Sequence, residues 1–247
     1  MSFSNIRSAL LALARGQFVV VADDEGRENE GDLILAASAA TPEKIAFMVR
    51  HTSGLLCVGV RGERLDELDL PLMVPQNTES HQTAFTVSVD YRRGTTTGIS
   101  AADRSATIRA LADHSVGASG FAWPGHVFPL RARAEGVLAR RGHTEAACDL
   151  AELAGFPALG ALAEIVGENG DMARRPELLA FAKRHQLEFI TIAELVEFRR
   201  AAASSPATTE QLLLTLKQSS SNKELNDAHT RVAAFGMQSA SYPENRT

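Results

Sequence analysis

Aromatic side chains are scarce in this sequence: one tryptophan and two tyrosines stand beside 11 phenylalanines in 247 residues. Trp123, Tyr91 and Tyr242 are too few to build a stacking surface for nucleobases. Basic charge is not in excess either. The formal net charge is −5 and no polybasic segment occurs, which argues against nucleic acid or an anionic membrane surface as a partner. Cysteine is limited to Cys57 and Cys148, both in apolar surroundings. A disulfide framework or a thiolate zinc site is therefore not expected, and each cysteine reads as a small buried hydrophobe. No apolar run approaches the ~20 residues needed to span a bilayer. The N-terminus lacks a cationic segment followed by a long apolar stretch, so no signal peptide is expected and the expected location is cytoplasmic.

What remains is ordinary globular material, 45% hydrophobic and 22% charged, and long enough to enclose a real core. Ser4 is a candidate cap for a helix with apolar positions at Ile6, Leu10 and Leu13, ended by Gly16. Strands are expected at Phe18 to Val21, from Leu33, at Leu55 to Val60, and with alternation at Phe85 to Val89. Further extended segments are expected at Val127 to Arg133, Leu162 to Val166 and Leu187 to Ile190. Thr41 with Pro42, Ser100, Thr144, Pro176 and Ile192 open the intervening helices. The alternation lacks a strict βαβ period, so the expected fold is α+β, a mixed central sheet covered by helices. From 201 to 247 the chain turns polar and low in complexity, apart from a short leucine patch at 212 to 216, and reads as a disordered extension of the 1–200 domain.

Five places carry chemistry. The stretch from Asp23 to Asp32 holds six carboxylates and one arginine, a formal −5 that equals the charge of the whole chain. So many like charges between two buried strands must face water or a cation, and hard oxygen ligands suit Mg²⁺ or Mn²⁺. A solvated acidic turn is the competing interpretation. Arg140-Arg141-Gly142-His143-Thr144-Glu145 precedes a helix, where arginines and amide N–H groups attract an anion and a neutral imidazole can ligate a metal. A plain Thr144 N-cap is the alternative. Gly94-Thr95-Thr96-Thr97-Gly98-Ile99-Ser100 opens another helix with hydroxyls and free N–H groups, a setting for phosphate or simply a capped turn. His126 stands among apolar neighbours at a strand start. Glu164 interrupts a buried strand, where a charged carboxylate needs a partner or a raised pKa suited to acid–base work.

Together these segments resemble the 3,4-dihydroxy-2-butanone 4-phosphate synthase family. The matching stretches are residues 23 to 32, Asn77-Thr78, Thr83 to Asp90, Gly94 to Arg104, Pro124 to Arg131, Arg141 to Glu145 and Glu164-Ile165, in the family's order. The resemblance covers about residues 5 to 200. It implies a three-layer α+β sandwich, used as a homodimer with active sites near the subunit interface. The implied reaction converts ribulose 5-phosphate to 3,4-dihydroxy-2-butanone 4-phosphate and formate for riboflavin synthesis, without an organic cofactor. Two Mg²⁺ or Mn²⁺ ions per site would be held by Glu28 and His143. Arg27, Asp32, Thr97, Arg140, Thr144 and Glu164 would contact substrate, and His126 and Glu164 would be essential to catalysis. Gly26 replaces a more usual acidic residue, and His81 and Gln82 fall in a loop expected to vary. Some family members carry a C-terminal zinc-dependent GTP cyclohydrolase II domain. Residues after 200 contain no cysteine, so a monofunctional chain is expected.

Overall fold

The computed structural model describes residues 4–204. Seven strands among these residues form one mixed sheet: β1 (Val19–Ala22), β2 (Gly31–Ala36), β3 (Cys57–Arg61), β4 (Val89–Tyr91), β5 (Phe121–Ala132), β6 (Leu159–Glu164) and β7 (Glu188–Thr191), in the spatial order β4-β5-β3-β6-β2-β1-β7. β1–β7 and β3–β5 run parallel, and the other neighbours are antiparallel. Among the described residues, seven α-helices accompany it: α1 (Ser4–Ala14), α2 (Pro42–His51), α3 (Gly62–Glu67), α4 (Ala101–Ala112), α5 (His143–Leu153), α6 (Arg175–His185) and α7 (Ile192–Ser204).

The central strands are buried on both faces, which explains their near-continuous apolar sequences. Val20, Leu33 and Leu35 pack with Ile45 and Met48 of α2, Ile108 of α4 and Leu178 of α6. Val19, Val21 and Ile34 face the opposite way, toward Ile6, Leu10 and Leu13 of α1, Leu150 of α5 and Leu195 of α7. The result is the expected three-layer sandwich. Each fully buried leucine or isoleucine contributes about 1.5–3 kcal/mol relative to exposure.

Differences from the sequence-based elements are local. Phe85 to Val89 makes only isolated bridges before β4, because this segment crosses from Leu72 to Leu130 rather than running along one neighbour. β5 is longer than expected and starts at Phe121. Gly142, not Thr144, takes the cap position of α5 and brings no side-chain oxygen. α7 continues to Ser204, past the expected boundary at 200, and the rest of the expected tail lies outside the described residues. Among the described residues, no helix is long and apolar enough to cross a membrane.

One packing detail places the site. Gly59 of β3 pairs in register with Gly160 of β6. A Cβ on Gly59 would lie 2.6 Å from the Thr144 carbonyl oxygen, and one on Gly160 would lie 2.6 Å from that of Ala147. Two glycines side by side let α5 rest directly on the sheet. Its first turn, with His143 and Thr144, is thereby set over the strand ends that carry Asp32 and Glu164.

Candidate active site

Asp32 is the second residue of β2, and its Cα lies opposite that of Glu164, the last residue of β6. His143 comes down onto them from α5. Its Nε2 lies 3.1 Å from the Val21 carbonyl oxygen, which can only accept, so Nε2 carries the proton in the neutral ring. Nδ1 then faces the carboxylates, 3.5 Å from Glu28 Oε2 and 3.7 Å from Asp32 Oδ1. A backbone acceptor behind a histidine is the usual device for presenting its other nitrogen to a metal.

The acidic loop folds around its own first residue. Asp23 accepts the Glu28 and Glu30 amides at 3.1 and 2.9 Å and Nη1 of Arg27 at 3.0 Å. Arg27 also pairs with Glu28 at 2.8 Å. From the opposite side, Nη1 of Arg174 donates to the carbonyls of Glu28 and Asn29 at 2.9 and 2.6 Å, and Asn29 sits at φ 55°. Gly31 closes the loop because Leu178 of α6 fills the space that a side chain would need. The interpretation as a freely solvated acidic turn is therefore not what this loop adopts.

These charges strain one another. Burial pulls the His143 imidazole down, but Asp32, Glu28 and Asp23 outweigh it and hold it up at about 9. Burial pushes the Asp32 carboxyl up to about 7 against the attraction of His143. Burial also raises Glu28, yet His143 and Arg27 bring it down to about 2. Asp32 Oδ1 is buried without a hydrogen-bond partner. Ligand atoms of Asp23, Glu28 and His143 all lie within 4.8 Å of one another. An orphaned carboxylate oxygen beside one imidazole and two more carboxylates fits a hard divalent cation.

Seven of the nine sequence-nominated residues line one cavity of about 230 Å³: Arg27, Glu28, Asp32, Arg140, His143, Thr144 and Glu164. Glu164 is half-buried rather than enclosed, and its Oε2 accepts a 2.7 Å hydrogen bond from Ser53. Neither full burial nor an arginine partner is found there, because the carboxylate reaches past the strand end into the cavity mouth. A larger cavity of about 660 Å³ adjoins through Glu79, Thr83 and Phe85 but contains none of the nominated residues.

Thr97 and His126 lie elsewhere, around Asp90 of β4. His126 Nδ1 lies 2.7 Å from Asp90 Oδ2, and its amide donates to Oδ1 at 2.9 Å. This orients the ring and leaves Nε2 outward, with the side chain 41% exposed. Gly98 touches both groups and has no room for a Cβ. Thr97 is exposed beside it. The expected free amides of this turn are taken: those of Thr96 and Gly98 donate to Asp103 at 3.0 and 3.1 Å, and Thr96 Oγ1 does so at 2.8 Å. The Asp103 carboxylate of the following helix takes up these donors, so the turn does not offer the free N–H groups expected of it for a phosphate.

Sequence reasoning included Asp23 only as one of six carboxylates in the acidic stretch, and missed Asp90, Ser53 and Arg174. Asp23 had a usable signal, an acidic residue heading a glycine-containing loop. The other three act across 36, 111 and about 145 positions of chain and left no local trace.

The 3,4-dihydroxy-2-butanone 4-phosphate synthase family model matches residues 7–198. A 3,4-dihydroxy-2-butanone 4-phosphate synthase of Agrobacterium fabrum is 54% identical over 213 residues, 86% of this chain and 100% of that protein. One from Aeromonas salmonicida is 50% identical over 204 residues, 83% of this chain and 94% of its own. A crystal structure of a 3,4-dihydroxy-2-butanone 4-phosphate synthase in complex with two magnesium ions superposes with a TM-score of 0.77 at 47% identity, covering 80% of this chain and 97% of that one. A cation-free structure of such a synthase gives 0.76 at 45% identity over 82% of this chain and 100% of its own. With match lengths and identities of this size across the whole described fold, the chain belongs to the 3,4-dihydroxy-2-butanone 4-phosphate synthase family.

Proposed function

We propose that the cavity between α5 and the ends of β2 and β6 converts D-ribulose 5-phosphate to L-3,4-dihydroxy-2-butanone 4-phosphate and formate, the family's step in riboflavin biosynthesis. The observation that carries this reading is the buried, unpartnered oxygen of Asp32 beside Glu28 and His143. Glu28 and His143 would hold two Mg²⁺ or Mn²⁺ ions, as the related structure with two magnesium ions suggests. Bound there, the ions would supply positive charge next to adjacent substrate oxygens as an enediolate develops.

The protein's own groups account for the remaining work. Removal of the C3 proton, departure of the C1 hydroxyl, the skeletal shift and formate release each need a proton moved to or from the substrate. Glu164 and His126 share these transfers in our reading. Glu164 reaches the cavity mouth, held by Ser53, and His126 presents Nε2 with its other nitrogen anchored by Asp90. Arg27 and Arg140 supply fixed positive charge, while Asp32 and Thr144 line the floor and bind substrate hydroxyls. Thr97 contacts the phosphate end through its exposed hydroxyl.

His126 and Thr97 do not line the cavity of their own chain, which supports a homodimer with the site near the subunit interface. Large apolar side chains flank them in the open, Trp123 at 55% and Ile99 at 52% exposure, as a surface awaiting a partner copy would be. A cytoplasmic location and catalysis without an organic cofactor complete the reading. The decisive experiment is a formate assay on purified protein with ribulose 5-phosphate, with and without Mg²⁺. Metal-dependent formate supports the proposal. A folded protein that binds Mg²⁺ and yields no formate would be a silent scaffold instead.

A further inference from the structure

We infer that Glu145 is a positioning residue that aims Arg140 across the cavity mouth; the inference rests on Arg140 being a substrate contact, as proposed above. Glu145 is the third residue of α5 and only 1% exposed. A carboxylate so enclosed is costly unless its oxygens are matched. Oε1 accepts the Arg133 amide at 3.0 Å, which ties it to the chain. Oε2 accepts Nη1 of Arg140 at 2.8 Å. The helix N-terminus adds favourable charge around the group.

Glu145 does not line the cavity, whereas Arg140 does, so any effect on substrate passes through the guanidinium. The pair closes over Gly142, where a Cβ would run into Arg140 Nη1 and lie 2.8 Å from Glu145 Oε2. Nη2 of Arg140 donates to the His81 carbonyl and Thr83 Oγ1 at 3.1 and 3.2 Å. Both acceptors belong to a loop braced from within, since Glu79 accepts the amides of His81 and Thr83, each at 2.8 Å. One guanidinium therefore joins the first turn of α5 to the loop at the cavity rim, and Glu79 and Thr83 of that loop line the same cavity. An arginine side chain loses rotamer freedom on being held. Glu145 imposes that order before substrate arrives, so binding does not have to.

The test is steady-state kinetics on the Mg²⁺-loaded enzyme with E145Q, E145D, R140A and the double variant E145Q/R140A, thermal melts confirming that each is folded. In E145Q the amide can keep the Arg133 bond only by turning its NH₂ toward Arg140, a donor against a donor. KM for ribulose 5-phosphate is expected to rise about tenfold with kcat within about twofold, the pattern of lost uniform binding. E145D keeps the charge but withdraws it by one methylene. It is expected to raise KM in the same direction, and it carries the test if E145Q does not fold. In the double variant KM should equal that of R140A alone. Effects that multiply in the double variant, or a wild-type KM in E145D, overturn the inference. If R140A itself leaves KM unchanged, the substrate-contact reading of Arg140 falls; if R140A raises KM and both Glu145 variants do not, only the positioning role falls.

Discussion

Two histidines of this protein live in opposite circumstances. His143 is 6% exposed, ringed by carboxylates and backed by a carbonyl. His126 is 41% exposed, fastened to one aspartate at a sheet edge beside uncovered apolar side chains. The first belongs to a buried cluster dense in negative charge. The second belongs to a cluster built on one aspartate at the sheet edge, outside the cavity that His143 lines. The contrast separates two tasks. Holding a cation needs burial and accumulated negative charge, whereas delivering a proton needs an oriented ring with one free nitrogen.

Removing the buried cluster should have the largest effect. His143→Ala and Glu28→Gln are expected to lower kcat/KM about a thousandfold, the several kcal/mol that metal charge stabilisation supplies. Mn²⁺ binding followed by electron paramagnetic resonance should disappear with it. Retained Mn²⁺ affinity in both variants would place the metal elsewhere.

Glu164→Gln and His126→Ala should each lower kcat by about 10²–10⁴, the usual range for a lost acid–base group, with Mn²⁺ affinity preserved. Mixing and refolding the two inactive variants together tests whether the clusters work across subunits. Recovered activity means that one chain's His126 serves its partner's cavity; none means that each chain uses its own.

The charge contrast also predicts opposite pH behaviour for fold and metal. His143 is raised from its ordinary 6.5 to about 9, so the metal-free fold gains its full contribution below about 6.5 and loses it as pH climbs through 9. Asp32, raised to about 7, works in the same direction, because the folded chain favours its proton. Cation binding requires the neutral imidazole and the carboxylate, so Mn²⁺ affinity should strengthen over the same rise in pH. Thermal melts with and without Mn²⁺ between pH 6 and about 9 read both trends. Affinity independent of pH would remove His143 from the ligand set.

Asp90→Asn should lower kcat by about tenfold to a hundredfold and distort the pH–rate profile, because an amide donor at Nδ1 moves the imidazole proton onto Nε2. The smallest expected effect is Arg174→Ala. Loss of its half-exposed bonds to the acidic loop should weaken Mn²⁺ binding about fivefold with little change in kcat at saturating metal.

Most of the fold was legible because its signals are local. Thr41 with Pro42 starts α2 as read, and the apolar runs at Val19–Ala22 and Gly31–Ala36 form central strands. Phe85 to Val89 misled because alternation signals a pleated strand wherever one face is buried, whether or not a neighbour pairs along it. Thr144 misled because Ser and Thr favour caps, while here the helix starts two residues earlier, with Gly142 as its cap and α5 lying close over Gly59.

The chemical inventory is written in the chain itself: an acidic loop equal to its whole net charge, a histidine ahead of a helix, and a glutamate within an apolar run. Tertiary structure alone decided the distances. Paired glycines on β3 and β6 lower α5 onto the sheet, and that approach brings His143 within 3.7 Å of Asp32, 111 positions away in the chain. It also decided that His126 stands apart from that cavity. Composition and periodicity report which groups are present and which face they occupy, because those follow from neighbours three or four residues away. Which groups meet depends on how closely separate elements pack, and that is a property of the assembled core.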